Sequence, residues 1–156
     1  TRKESSAASD VYKRQVNSYI NTVLESKKGN PLSICLLYSI IAQSLDLPIY
    51  GVNLPNHFVL AYIDTKGSVS MINEDNEYGV LCYINAFSNG VIFNTNEIKQ
   101  FLNEIKRPHR REYFEPCSNS AIIKRMLNNL ISSFQRVGNS EKVEELTILR
   151  DIIQGN

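Results

Sequence analysis

The chain has 156 residues, 42% hydrophobic and 21% charged, and its 17 basic and 16 acidic side chains leave a formal charge of +1. A chain of that length buries roughly two-thirds of its unfolded surface, so one globular domain with a small appendage holds together without staples. The near-neutral balance speaks against a dedicated nucleic-acid binder or an anionic-membrane binder, both of which need a basic face.

Cys35, Cys82 and Cys117 are scattered and form no C-x-x-C pair, the pattern of reduced thiols in a cytoplasmic protein. No metal-ligand spacing occurs, and the two histidines are His57 and His109, so neither a metal nor another cofactor is expected. The apolar run Ile34–Ala42 falls well short of the ~20 residues that cross a bilayer, and no secretory signal opens the chain. No membrane partner is expected.

Residues 1–15, TRKESSAASDVYKRQ, are polar and aperiodic and read as a non-native or disordered segment. Val16, Tyr19, Ile20, Val23 and Leu24 then recur at helical spacing, with Gly29 in "SKKGN" as the C-terminal cap. Asn30 caps a second helix, and Pro31 suits its first position because the missing N–H has no partner to lose. Apolar residues cover nearly the whole circumference of that helix to about Leu45, which marks it as central.

Two extended runs follow, Ile49–Leu54 and His57–Asp64, joined by Pro55-Asn56. The second is apolar on both faces, the pattern of a strand buried between layers. Weaker strands are expected at Ser68–Asn73 and Val80–Ile84. Asn94 and Glu97 form a capping box for a helix to about Ile105. The basic, Pro-punctuated stretch Lys106–Asn119 carries Glu112 and Glu115 among its cations and reads as a solvated linker rather than a phosphate or nucleic-acid site.

The last forty residues form a helical hairpin around Gly138, with stripes Ile122, Ile123, Met126, Leu127, Leu130, Ile131, Phe134 and Val143, Leu146, Ile148, Leu149, Ile152, Ile153. The unit resembles a single tetratricopeptide-type (TPR-like) repeat, which cannot bury its own face. The expected divisions are 1–15, a core over 16–105, a linker over 106–118 and the hairpin over 119–156.

A cysteine nucleophile needs a lowered thiol pKa, supplied by a helix N-terminus and an imidazole. Helix then strands, with Cys35, His57 and Asn85 in that order, is the arrangement of papain-like and transglutaminase-like folds. "GNPLSICLLYSIIAQSLDLPIYGVNLPNHFVLAYI", "YINAF" and "SNSAIIKRMLNNLISSF" resemble the bacterial SirB-type family. That resemblance implies an α+β fold, a transglutaminase-like core with a central helix on an antiparallel sheet, followed by a tetratricopeptide-like tail. Members usually begin with a further helical region, which this chain lacks.

In active transglutaminase-like proteins a Gly-x-Cys opens the helix and a Gly-Ile-Pro follows its end. Here "GNP" and "DLP" take those places, so the nucleophile position falls on Pro31, with His57 and Asn85 at the positions of the histidine and its orienting partner. Cys35 lies ~6 Å further along the helix axis, twice the hydrogen-bond reach of ~2.6–3.2 Å that a base requires. In apolar company it reads as a small hydrophobe with a raised pKa. Ser33 is the residual hydroxyl near the vacated position.

The resulting expectation is a non-catalytic transglutaminase-like domain that binds or scaffolds an unidentified protein partner. The alternative is a residual cysteine-type hydrolase or acyl-transferase using Cys35, His57 and Asn85.

Overall fold

A computed structural model describes residues 17–67 and 77–155, with the side chain of residue 154 left aside. The strand expected at Ser68–Asn73, the helix start at Val16 and the whole of residues 1–15 lie outside the described residues. Two compact units divide the chain, one formed by Ile34–Cys117 and the other by Thr1–Ser33 with Ser118–Asn156. The division falls within the first turn of one helix. Among the described residues the architecture is mixed, with five α-helices and a four-stranded antiparallel sheet.

In the Ile34–Cys117 unit, strands β1 (Ile49–Val52), β2 (Val59–Ile63), β3 (Val80–Asn85) and β4 (Val91–Phe93) pair in chain order. The register sets Val52 opposite Val59, Ala61 opposite Tyr83, and Tyr83 opposite Phe93, with an irregularity between Tyr62 and Ile63. Because strand side chains alternate, Val52, Val59, Ala61 and Tyr83 share one face. That face packs on Ile98 and Leu102 of a helix at Thr95–Glu104. On the opposite face Ile49, Leu60 and Ile84 are also buried. A strand between layers is what the two apolar faces of β2 imply, and the structure supplies both layers.

The second layer is the helix Pro31–Ser44, here α2, preceded by α1 at Ile20–Ser26. From it the Ser39 hydroxyl donates to the Ile49 carbonyl at 3.0 Å. Leu32, Cys35, Ser39 and Ala42 are buried along one stripe, and Ser33 is buried beside the cap. Tyr38, Ile40 and Ile41 are exposed, Ile41 to 52%. The helix is therefore not apolar-buried all round as its composition suggests. One sheet face covers one arc of a helix, and apolar residues beyond that arc stay in solvent.

Local signals decide the element ends. The Asn30 side chain accepts from the Ser33 N–H at 2.9 Å, and the Ser33 hydroxyl accepts from the Asn30 N–H at 3.0 Å, a reciprocal cap on α2. The expected box at the Thr95–Glu104 helix, α3, is present, with Asn94 and Glu97 exchanging bonds of 3.1 and 2.8 Å. At the end of α1 the left-handed residue is Lys27, φ 58°, and not Gly29. Its N–H bonds back to Val23, so the helix closes two residues earlier than the glycine suggests.

The stretch Lys106–Cys117 keeps its cations in solvent, and Arg111 pairs with Glu115 at 2.6 Å. It also plants Phe114, fully buried, in the core of the Ile34–Cys117 unit. The Tyr83 hydroxyl donates to the Phe114 carbonyl at 2.7 Å. In the other unit, α4 (Asn119–Arg136) and α5 (Ser140–Gln154) turn about Gly138, φ 71°. Asn139 caps α5 by accepting from the Lys142 N–H at 3.1 Å.

Burial pushes the Tyr83 phenol up to about 12. An unfolded tyrosine releases its proton near ~10, so the folded chain holds a proton that the unfolded chain loses. Stability from this group is complete below pH ~10 and is lost as pH rises from there through the raised folded value. Tyr83→Phe should cost about 1–3 kcal/mol at neutral pH by stranding the Phe114 carbonyl. It should also flatten the alkaline fall in urea midpoint, and a midpoint that falls as steeply as in the unaltered protein would refute the assignment.

Candidate functional site

The residues singled out by sequence fall into two local settings. At the N-terminus of α2, Pro31 occupies the first helical position. Ser33 is buried to 1% exposure and its hydroxyl donates to the Asn17 carbonyl at 2.6 Å. The Asn30 amide donates to the Ser18 hydroxyl at 3.0 Å. These polar groups satisfy one another, and the crevice lined by Ser18, Asn30, Leu32, Ser33, Met126 and Asn129 has no room for a water molecule. A serine tied into a cap in this way is a structural hydroxyl rather than a nucleophile.

The second setting holds Cys35, His57 and Asn85. Cys35 is wholly buried, and its thiol donates to the Phe58 carbonyl at 3.4 Å. His57 is exposed and follows a turn in which its N–H bonds to the Leu54 carbonyl at 3.3 Å. Pro55 presets the first corner of that turn, and Asn56 takes the left-handed second corner at φ 59°. The dipeptide Pro55-Asn56 thus fixes where the imidazole leaves the chain. Its ring meets Phe101 of α3 edge-on, with centroids 5.1 Å apart. Thiol and imidazole are engaged by different layers, and the imidazole makes no hydrogen bond to a described residue.

Asn85 ends β3 and accepts from the Ser88 N–H at 3.1 Å, capping the 3-10 turn Ala86–Ser88. The Asn85 side-chain oxygen is thus engaged within its own turn. The signal lay in the sequence "NAFSNG", where an Asn followed by two αL residues, Asn89 and Gly90, builds a turn. Cys82 and Cys117 are half-buried, and burial pushes the Cys82 thiol up, away from thiolate. No disulfide links the three cysteines. Among the described residues no group of three His, Cys, Asp or Glu side chains is placed to hold a metal, and no helix is long and apolar enough to cross a membrane.

The sequence profile of the Transglutaminase-like superfamily matches residues 4–128. Human F-box only protein 21 is 29% identical over 141 residues, 90% of this chain and 20% of that protein. A UPF0162 protein of Xylella fastidiosa is 27% identical over 135 residues, 80% of this chain and 42% of its own length. Another, from Pasteurella multocida, is 40% identical over 63 residues, 40% of this chain and 24% of its own length. The chain thus spans less than half the length of these relatives. No solved structure matches it.

The geometry orders the thiols by access. In native protein at neutral pH, Cys35 should resist iodoacetamide and label only on global unfolding, with Cys117 and Cys82 labelling first. Peptide mapping of a time course reads this directly, and early modification of Cys35 would overturn its structural role. Asn85→Ala should cost about 1 kcal/mol through loss of the cap, read as a fall in the urea midpoint.

Proposed function

The chain belongs to the Transglutaminase-like superfamily, and on that premise we propose that it is a non-catalytic member, a scaffold that binds a protein partner. The observation that carries this reading is the setting of Cys35. It is a thiol in the apolar interior, bonded to a backbone carbonyl, and such a thiol behaves as a small hydrophobe. Pro31, at the position where active relatives carry the nucleophile, offers none. Ser33 is held in its cap, and Asn85 in its turn. What the fold retains is surface, in the α4–α5 hairpin and around His57. Within the superfamily, the SirB-type resemblance and its tetratricopeptide-like tail fit a cytoplasmic adaptor role, since helical repeats serve as binding surfaces.

Two measurements test this. Unaltered protein should hydrolyse an activated ester no faster in the presence of its thiols than after exhaustive maleimide treatment. Hydrolysis that is lost in Cys35→Ser would instead establish a residual cysteine hydrolase. Pro31→Cys places a thiol at the first position of α2, where the helix dipole favours thiolate. Its pKa, read from alkylation rate against pH, should fall below the ~8.5 of a free cysteine. A normal value would refute the nucleophile position drawn through "GNP".

A further inference from the structure

The second apolar stripe of the hairpin is not one surface. Val143, Leu146, Thr147, Arg150 and Ile153 are half-buried on the side of α5 turned toward α4. Ile148, Leu149 and Ile152 are exposed, Ile152 to 61%. At ~100° per residue, Glu141, Glu145, Ile148 and Ile152 fall on one line down the outer face of the helix. About one turn is acidic and the turn beyond it aliphatic. Glu144 flanks the acidic half and Leu149 the aliphatic half.

We infer that this outer face of α5 docks an amphipathic helix of a partner protein, basic over about one turn and aliphatic over the turn beyond it. The inference rests on the scaffold reading and names its partner's chemistry. Charge supports it first. Among the described residues Glu141 and Glu144 have no ion-pair partner, whereas Lys142 is already spent on Glu145 at 2.6 Å and Arg150 on Asp151 at 3.0 Å. Four acidic side chains against two basic ones leave α5 with a negative face that only cations from outside can complement. Apolar surface supports it second, because three aliphatic side chains open at helical spacing match the i, i+3/i+4 anchors of a packed helix. The line from Glu141 to Ile152 runs about 16 Å, the length of an eleven-residue partner helix.

The same pattern disfavours other occupants. A second copy packed in parallel would set Glu against Glu, and packed antiparallel would set Glu against Ile. An anionic lipid surface would repel the acidic half.

The probe is an acetylated, amidated 18-residue alanine-based peptide with three lysines and then three leucines on one helical face. A twin carries glutamate for each lysine. Binding to the whole chain is followed by fluorescence anisotropy at low salt. The lysine peptide should bind at least tenfold tighter than its twin, and raised salt should erode that preference. Glu141→Lys with Glu144→Lys should reverse the preference. Ile148→Gln with Ile152→Gln should weaken the lysine peptide at least tenfold while circular dichroism stays unchanged. Equal binding of the twins, undiminished binding to the isoleucine variant, or sedimentation showing self-association through α5 would each overturn the inference. None of those outcomes touches the scaffold reading, which stands or falls on the ester and thiol measurements.

Discussion

Strand β2 is covered on both faces, and that constraint governs where polar chemistry can sit in the Ile34–Cys117 unit. Val59 and Ala61 meet the α3 layer, and Leu60 between them is buried on the other side. A titratable group inside such a strand would lose its hydration without a partner, at a cost of several kcal/mol. Functional side chains are therefore confined to the strand ends. His57 precedes β2 on a Pro-Asn turn, and Asn85 closes β3. Both are where a site on this sheet has to be.

Position at a strand end is necessary for an active site but does not make one. At the start of α2 the polar groups of Ser33 are engaged within the cap. The Ser33 N–H bonds to the Asn30 side chain, and the Ser33 hydroxyl to the Asn17 carbonyl. A reciprocal cap is worth about 1 kcal/mol and holds the helix end in place. Around β3, Asn85 is spent in the same way on a tight turn.

The hairpin shows the complementary situation. Among the described side chains of α5 none reaches full burial, and its hydrophobic content is split between a half-buried side and an open one. Exposed aliphatic residues are ordinary when scattered. Aligned below Glu141 and Glu145, of which Glu145 pairs with Lys142 while Glu141 has no ion pair among the described residues, they form a surface with a direction and a sign, which is what selective docking of a helix needs.

The elements of this protein were legible in the sequence wherever the signal is local. Asn30 with Pro31, Asn94 with Glu97, Pro55 with Asn56, and Gly138 with Asn139 each act within four residues, and each forms where the sequence places it. The two-faced apolar pattern of β2 likewise implied two covering layers. What the sequence could not carry is which side of an apolar helix meets a partner. Hydrophobicity states how much surface prefers to leave water, whereas burial depends on what lies opposite. Hence α2 is buried along one stripe only, and the α5 stripe divides between Val143 and Ile148. The candidate triad depended on the same missing knowledge. Order along the chain put Cys35, His57 and Asn85 in a catalytic sequence. Tertiary structure decided that the Cys35 thiol meets the Phe58 carbonyl and the His57 ring meets Phe101, contacts between segments that no residue spacing encodes, whereas the Asn85 cap on Ser88 is local.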